Sequence, residues 1–372
     1  MTEKHSFGVK AVTCHAWNGS RTEIALSQND ADVKIFKKSG NKFDETASLT
    51  EHGQQVTGIE WAANSNRIVT CGADRNAYVW TFEDGKWKPS LVILRINRAA
   101  TTVKWSPLEN KFAVGSSARV ISVCYFDEEN NWWVSKHIKK PIRSTITCLD
   151  WHTNNILLAA GSSDFKARVF SAYVKEVEGK PTATAWGTKM PFQNLMAEFS
   201  NGGGGWVHSV SFSPSGDKLA WIGHDSSVSV ADAANGNRLS VIKGNFLPLI
   251  DVSWVTENSM VAGGFDCCPK LFTQDNGGNL TFITDLDIPQ EKEAGKISAM
   301  NRFKNLDKKA SSSGSETSTD VKTQHQNTIT QVTIHTGTKA DCTKFSTSGV
   351  DGQVIIWDFK SLESSVAGLR IA

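Results

Sequence analysis

The chain has 372 residues, 39% of them hydrophobic and 21% charged, with a formal net charge of +2. That apolar content can fill a core and excludes a mainly disordered chain, while the near-neutral balance supplies no overall field for nucleic acid or a membrane surface. The seven cysteines are scattered through apolar runs without a CxxC pair, no stretch approaches a membrane-spanning length, and neither a leader nor a lipidation box is visible. The expectation is a reduced, soluble cytoplasmic protein without a metal site, a cofactor or membrane insertion.

In chain order, KHSFGVK (4–10) precedes everything that repeats. The repeats follow as short strands ending in a large apolar residue: Trp17, Trp61, Trp105, Trp151, Phe212, Trp254 and, less regularly, Ile334. Asp30, Asp74, Asp164 and Asp225 each lie 13 residues after the preceding anchor, with Asp266 and Asp351 at nearby offsets and Ala118 breaking the rule in the third unit. Six residues beyond come Phe36, Trp80, Cys124, Phe170, Ala231, Phe272 and Trp357. Three registers agreeing over seven units describe strand, turn, strand, tight turn with Asp, strand, and a fourth strand such as SLVILRI (90–96). Gly72, Gly161 and Gly349 before the turn are expected to relax its backbone. Four strands make a propeller blade, so the prediction is an all-β, seven-bladed propeller. The last unit runs out of strands, and the N-terminal strand is expected to complete the seventh blade, closing the ring.

Spacing between anchors locates two insertions in one propeller spanning 1–372. One is at about 173–205, between blades 4 and 5, and contains a NGGGGW hinge; the other is at about 287–327, between blades 6 and 7. In the second, Ser298 reads as an N-cap, and Met300, Phe303 and Leu306 follow at helical spacing, predicting an amphipathic helix at about 298–309. That stripe is covered either by blades 6 and 7 or by a partner, with Arg302, Lys304, Lys308 and Lys309 beside it.

His52, Thr70, Asp74 and Trp80, and again His325, Thr347, Asp351 and Trp357, occupy matching places in the second and seventh units. They resemble the His–Ser/Thr–Asp–Trp tetrad of WD-repeat blades. No nucleophile elbow, zinc-protease helix or phosphate loop is present, and NGGGGW lacks the Lys and hydroxyl of a P-loop, so no catalytic residues are assigned. The run SKHIKKPIR (135–143), with Trp132 and Trp133 before it, reads either as a docking surface through Lys136, Lys139, Lys140 and Arg143 for an acidic protein partner or a nucleic acid strand, the latter disfavoured by the near-neutral chain, or as a solvated outer strand and inter-blade turn.

The inter-repeat segments WKPSLVILRINRAA, WWVSKHIKKPIRS and AMNRFKNLDKKA, with HSFGVKAVTCHAWN, resemble the WD-repeat subunit family of the actin-related protein 2/3 complex. The resemblance implies a non-catalytic scaffold within an assembly that nucleates branched actin filaments. Its partners would be the other subunits, the actin filament and nucleation-promoting factors, with no nucleic acid. The resemblance also implies actin contact through the insert around Met300, Arg302, Phe303 and Leu306, and a place in the cytoplasmic actin cytoskeleton, the nucleus being left open. The alternative class is an adaptor propeller of a ubiquitin ligase or membrane coat.

Overall fold

The computed structural model describes residues 2–200, 204–287 and 323–365. Among these residues the chain forms seven four-stranded antiparallel sheets arranged as the blades of a propeller. The innermost strands are Cys14–Trp17, Val56–Trp61, Ala100–Trp105, Ile146–Trp151, Val207–Phe212, Leu249–Trp254 and Ile329–Thr336. Every predicted anchor falls on its expected strand, and each Asp, with Ala118, lies in the turn between second and third strands. The fourth strand of blade 2 differs from expectation. It runs Lys86–Val92 rather than 90–96, because the two-residue turn Asp84–Gly85 lets it pair with Ala77–Glu83 at once, and Pro89 is tolerated on its free edge.

A blade buries one face on each neighbour. Seven apolar clusters result, one at each interface, such as Val69, Val79 and Val92 of blade 2 against Val103, Trp105 and Phe112 of blade 3. The others sit between blades 1 and 2, 3 and 4, 4 and 5, 5 and 6, 6 and 7, and 7 and 1. Polar bolts reinforce them near the channel. Thr57 Oγ1 donates to Ala100 O of the next blade at 2.9 Å, Thr101 to Ile146 O at 2.6 Å, Thr330 to Val12 O at 2.7 Å, and Thr147 to Val207 O. Where His208 and Ile250 replace Thr at this register, Asp251 substitutes: its carboxylate accepts from Ser209 Oγ of blade 5 at 2.6 Å and Val332 N of blade 7 at 2.8 Å.

Of the stretch 173–205, Leu195–Ser200 is the outer strand of blade 4. The added length is therefore inside that blade, between its third and fourth strands, where the sequence reading placed it between blades 4 and 5. It is tied down. Trp186 and Met190 are buried against blade 5, Trp186 Nε1 donating to Gly216 O at 2.7 Å. Glu178 meets the fully buried Lys111 of blade 3 at 2.6 Å, and Lys111 also donates to Ala172 O at 2.8 Å. A short helix, Phe359–Ser365, follows the last strand and buries Phe359 and Leu362 in the blade 6–7 cluster. The helix expected at about 298–309 lies outside the described residues.

The ring closes as the sequence predicts. Glu3–Ser6 pairs antiparallel with Gln353–Asp358, making the fourth strand of blade 7. Phe7 then turns onto blade 1, its ring 4.9 Å from Phe36, and Gln28 Nε2 donates to Phe7 O at 2.7 Å. Removing residues 2–10 deletes this ladder and the Phe7 contact, and a loss of roughly 4 kcal/mol or more is expected at ~1 kcal/mol per ladder hydrogen bond plus the aromatic burial. Calorimetry would show a lowered melting temperature for the whole ring; an unchanged one would refute closure by this strand.

Candidate interaction surface

The loops joining one blade to the next, together with the Asp-bearing turns, form the upper face. In blade 2 a directed chain holds them. Trp80 Nε1 donates to Thr70 Oγ1 at 3.0 Å, Thr70 Oγ1 donates to His52 Nε2 at 2.8 Å, and His52 Nδ1 donates to Asp74 Oδ2 at 2.9 Å. The Asp74 carboxylate can only accept, which puts the proton of the neutral imidazole on Nδ1 and leaves Nε2 to accept from Thr70, while Trp80 can only donate to the hydroxyl. Asp74 also accepts from Gly53 N and Asn76 N at 3.1 Å, clamping loop to turn. Blade 7 repeats the arrangement through Trp357, Thr347, His325 and Asp351 at 2.9, 2.8 and 3.0 Å. Both ring nitrogens of each histidine are engaged, so neither imidazole holds a free nitrogen for a substrate. The preceding glycines are required for space rather than for turn freedom: a Cβ on Gly72 would stand 2.8 Å from His52 Nδ1, and one on Gly349 2.6 Å from Asp351 Oδ1.

The basic run is split by strand geometry. Lys136 lies on the outer strand of blade 3, Trp132–Ile138, with its ammonium 2.8 Å from both oxygens of Glu176 and 5.4 Å from the Tyr125 ring centre. That contact holds Glu176 below its ordinary carboxylate range. Lys139, Lys140 and Arg143 follow the strand and are exposed on the upper face, Arg143 giving only its backbone N–H to Asp164 Oδ2 at 3.0 Å. Trp132 is exposed, whereas Trp133 is buried on Phe112 and Phe126, because adjacent strand residues point to opposite faces. Met300, Arg302, Phe303 and Leu306 lie outside the described residues, as do Asn201, Gly202 and Gly203 of NGGGGW.

The sequence reading missed the channel. A central cavity of about 460 Å³ is lined by the first strands of all seven blades. The inner edges of those strands carry N–H groups without a sheet partner, and acidic side chains answer them: Glu60 accepts from Trp105 N, and Asp150 from Phe212 N at 2.7 Å. Lys104 sits 3.5 Å from Glu60, whose charge raises the pKa of the lysine. At the lower mouth Lys339 reaches across the ring from blade 7 to Asp150 of blade 4 at 2.6 Å and Ser211 Oγ of blade 5 at 3.1 Å. One signal was available: Thr13, Thr57, Thr101, Thr147 and Thr330 stand four residues before their anchors in five of seven units. Among the described residues no group of three or more His, Cys, Asp or Glu is arranged to hold a metal ion.

Seven four-stranded blades, two of them clamped by a His–Thr–Asp–Trp chain, define a WD-repeat propeller. The WD domain, G-beta repeat family matches residues 43–81 and 133–171. Each match opens on one blade's outer strand and ends with the next blade's third strand, so the sequence unit is offset from the blade by a strand. The chain belongs to the family of actin-related protein 2/3 complex subunit 1. It is 62% identical over 368 residues to actin-related protein 2/3 complex subunit 1A-B of Xenopus laevis, with 99% of each chain covered. Identity to subunit 1 of Schizosaccharomyces pombe is 45%, covering 92% of this chain and 95% of the relative. Subunit 1B of Arabidopsis thaliana is 38% identical, with 98% of each covered.

Burial makes this fold sensitive to acid. Desolvation lowers the pKa of His15 to about 3 and of His152 to about 4, and both side chains are buried. They stay neutral in the fold and protonate near pH 6.5 when it opens, so their contribution is present above that pH and is lost as pH falls toward the folded values. At pH 5 each costs about 2 kcal/mol, from 1.36 kcal/mol per pH step below ~6.5. The urea midpoint should fall steadily between pH 6.5 and 4; a flat profile there would contradict the neutral assignment.

Proposed function

We propose that this chain is a non-catalytic scaffold subunit of the actin-related protein 2/3 complex, acting in the cytoplasmic actin cytoskeleton where that complex nucleates branched filaments with nucleation-promoting factors. The observation that carries this reading is the full-length identity to the Xenopus laevis subunit, which extends through the blades and the segments between them. The architecture supports it: a ring that buries its own aromatic anchors folds without a ligand and leaves loops and outer strands free to hold partners. Affinity purification followed by mass spectrometry tests membership. Recovery of the actin-related pair is expected, and recovery of a ligase or coat without them would sink the reading.

The proposal includes two contacts. Met300, Phe303 and Leu306 supply apolar anchors to the actin filament, with Arg302, Lys304, Lys308 and Lys309 near its acidic surface. Replacing the three apolar residues by Asp should leave complex assembly and melting temperature unchanged while lowering branch density on the order of tenfold, about 1.4 kcal/mol of lost contact. Normal branching, or early melting, would count against it.

The second contact is the basic run. Lys139, Lys140 and Arg143 face an acidic partner, and Lys136 contributes through the field it shares with Glu176. Reversing all four to Glu should slow association about tenfold at low salt and much less at high salt, since exposed charges act within a Debye length. Association rates that do not change at low salt would leave the run as a solvated surface.

A further inference from the structure

Blade 3 lacks, at every position, the side chains that clamp blades 2 and 7. Counted from Trp105 as from Trp61, the histidine position is Ile96, the hydroxyl position Val114, the aspartate position Ala118 and the tryptophan position Cys124. The backbone clasp is kept: Ser117 N donates to Ala99 O at 2.9 Å, as Ala73 N does to Gln55 O at 2.8 Å in blade 2. Only the polar filling between loop and turn is gone. In its place is a cavity of about 360 Å³ on the upper rim, lined by Arg95, Asn97, His137 and Lys139 together with Ile96 and Ala118.

The polar lining consists of cations, an imidazole and an amide. One nitrogen of the Arg95 guanidinium donates to Ser135 O, which orients the group and leaves its other donors available. His137 Nε2 donates to Leu94 O at 2.8 Å, leaving Nδ1 as an acceptor while the ring is neutral and as a donor once it is protonated. Arg98, Arg119 and Lys140, each next in the chain to a lining residue, are exposed, as is Arg143 further along the same loop. Among the described residues none of these, nor Arg95 or Lys139, is paired with a carboxylate, whereas Lys136 is held by Glu176 and Arg168 by Asp164 and Glu198. Burial lowers the pKa of His137, and the charges of Lys139 and Arg95 lower it further against the Leu94 hydrogen bond. The cavity thus holds a positive field that the chain itself does not answer.

We propose that this cavity is a binding site for a compact phosphorylated anion, a phosphomonoester carried on a small ring or headgroup. A carboxylate offers one charge and two oxygens. A phosphate offers three acceptor oxygens and nearly two charges, matching donors that converge from a loop and a strand end with four further cations around them. The volume suits a small ligand. The vacated tetrad explains why the site is in blade 3: an Asp at position 118 would place a carboxylate against the phosphate. This site is independent of membership in the complex and can be tested on the chain alone.

The full chain is titrated calorimetrically with inositol hexakisphosphate, and separately mixed with phosphatidylcholine vesicles with and without phosphatidylinositol bisphosphate. The variants are Arg95→Ser, which removes a donor, and Ala118→Asp, which restores the carboxylate at a turn position built for it. Both leave residues 136–143 untouched, so failure here is distinguishable from failure of the acidic-partner contact. Saturable one-site binding is expected, weakened about tenfold or more in each variant at unchanged melting temperature. Binding of the soluble polyphosphate assigns a free ligand, and binding only of the doped vesicles assigns a lipid headgroup; both support the site. Absence of binding to both probes, binding by either variant as tight as that of the unaltered chain, or competition by polyglutamate as effective as by hexakisphosphate would overturn it.

Discussion

Every blade of this protein needs two neighbours, and only a closed ring supplies them. An open arc of the same blades would leave two apolar faces and a strand edge exposed, a state that aggregates rather than folds. The pairing of Glu3–Ser6 with Gln353–Asp358 is therefore the constraint behind the other contacts. It joins residues at opposite ends of the repeat array, so the blades are in position before their closing strand can dock. Loop-closure entropy rises only slowly with length, which is why a contact across more than 300 residues remains affordable.

What was legible in the sequence follows from how each strand is buried. Six of the seven first strands carry a Trp or Phe wedged between blades, and five third strands carry a second large aromatic six places past the turn, so both write a period into the chain. Outer strands write none. Lys86–Val92 is exposed along much of its length and contains Pro89, and its start is set by the turn at Asp84–Gly85 rather than by hydrophobic alternation. The same blindness put the inserted length of blade 4 one strand too late, since every side chain of Leu195–Ser200 is exposed or only half-buried. The tetrads were readable because their chemistry is specific. The channel offered only the repeated Thr before five anchors, because its polar contacts are long-range: Lys339 and Asp150 meet 189 residues apart.

Polar and apolar solutions to one structural problem coexist around the ring. Blades 2 and 7 hold loop to turn through a hydrogen-bonded chain that leaves no donor unanswered, the condition under which a buried polar network is stabilising. Blade 4 achieves the same with Arg168 between Asp164 and Glu198. Blade 3 relies on its backbone clasp and on Trp105, Phe112 and Trp133 packed beneath it, with ring centres 5.1 to 6.1 Å apart. Once the clasp and the aromatic layer carry the fold, the upper rim of that blade is released from structural duty.

Lys339 gives the disc a spoke. A ring held only by contacts between adjacent blades resists twisting poorly, because a load on one rim can be relieved by many small slips around the circumference. The ammonium that leaves blade 7 and ends on Asp150 and Ser211 crosses the lower mouth, joining segments that are not neighbours. Ovalisation along that diameter would have to lengthen this ion pair, which a distortion across it would spare. A subunit of this kind, gripped on one side and pulled on another, would transmit force along that axis and yield across it.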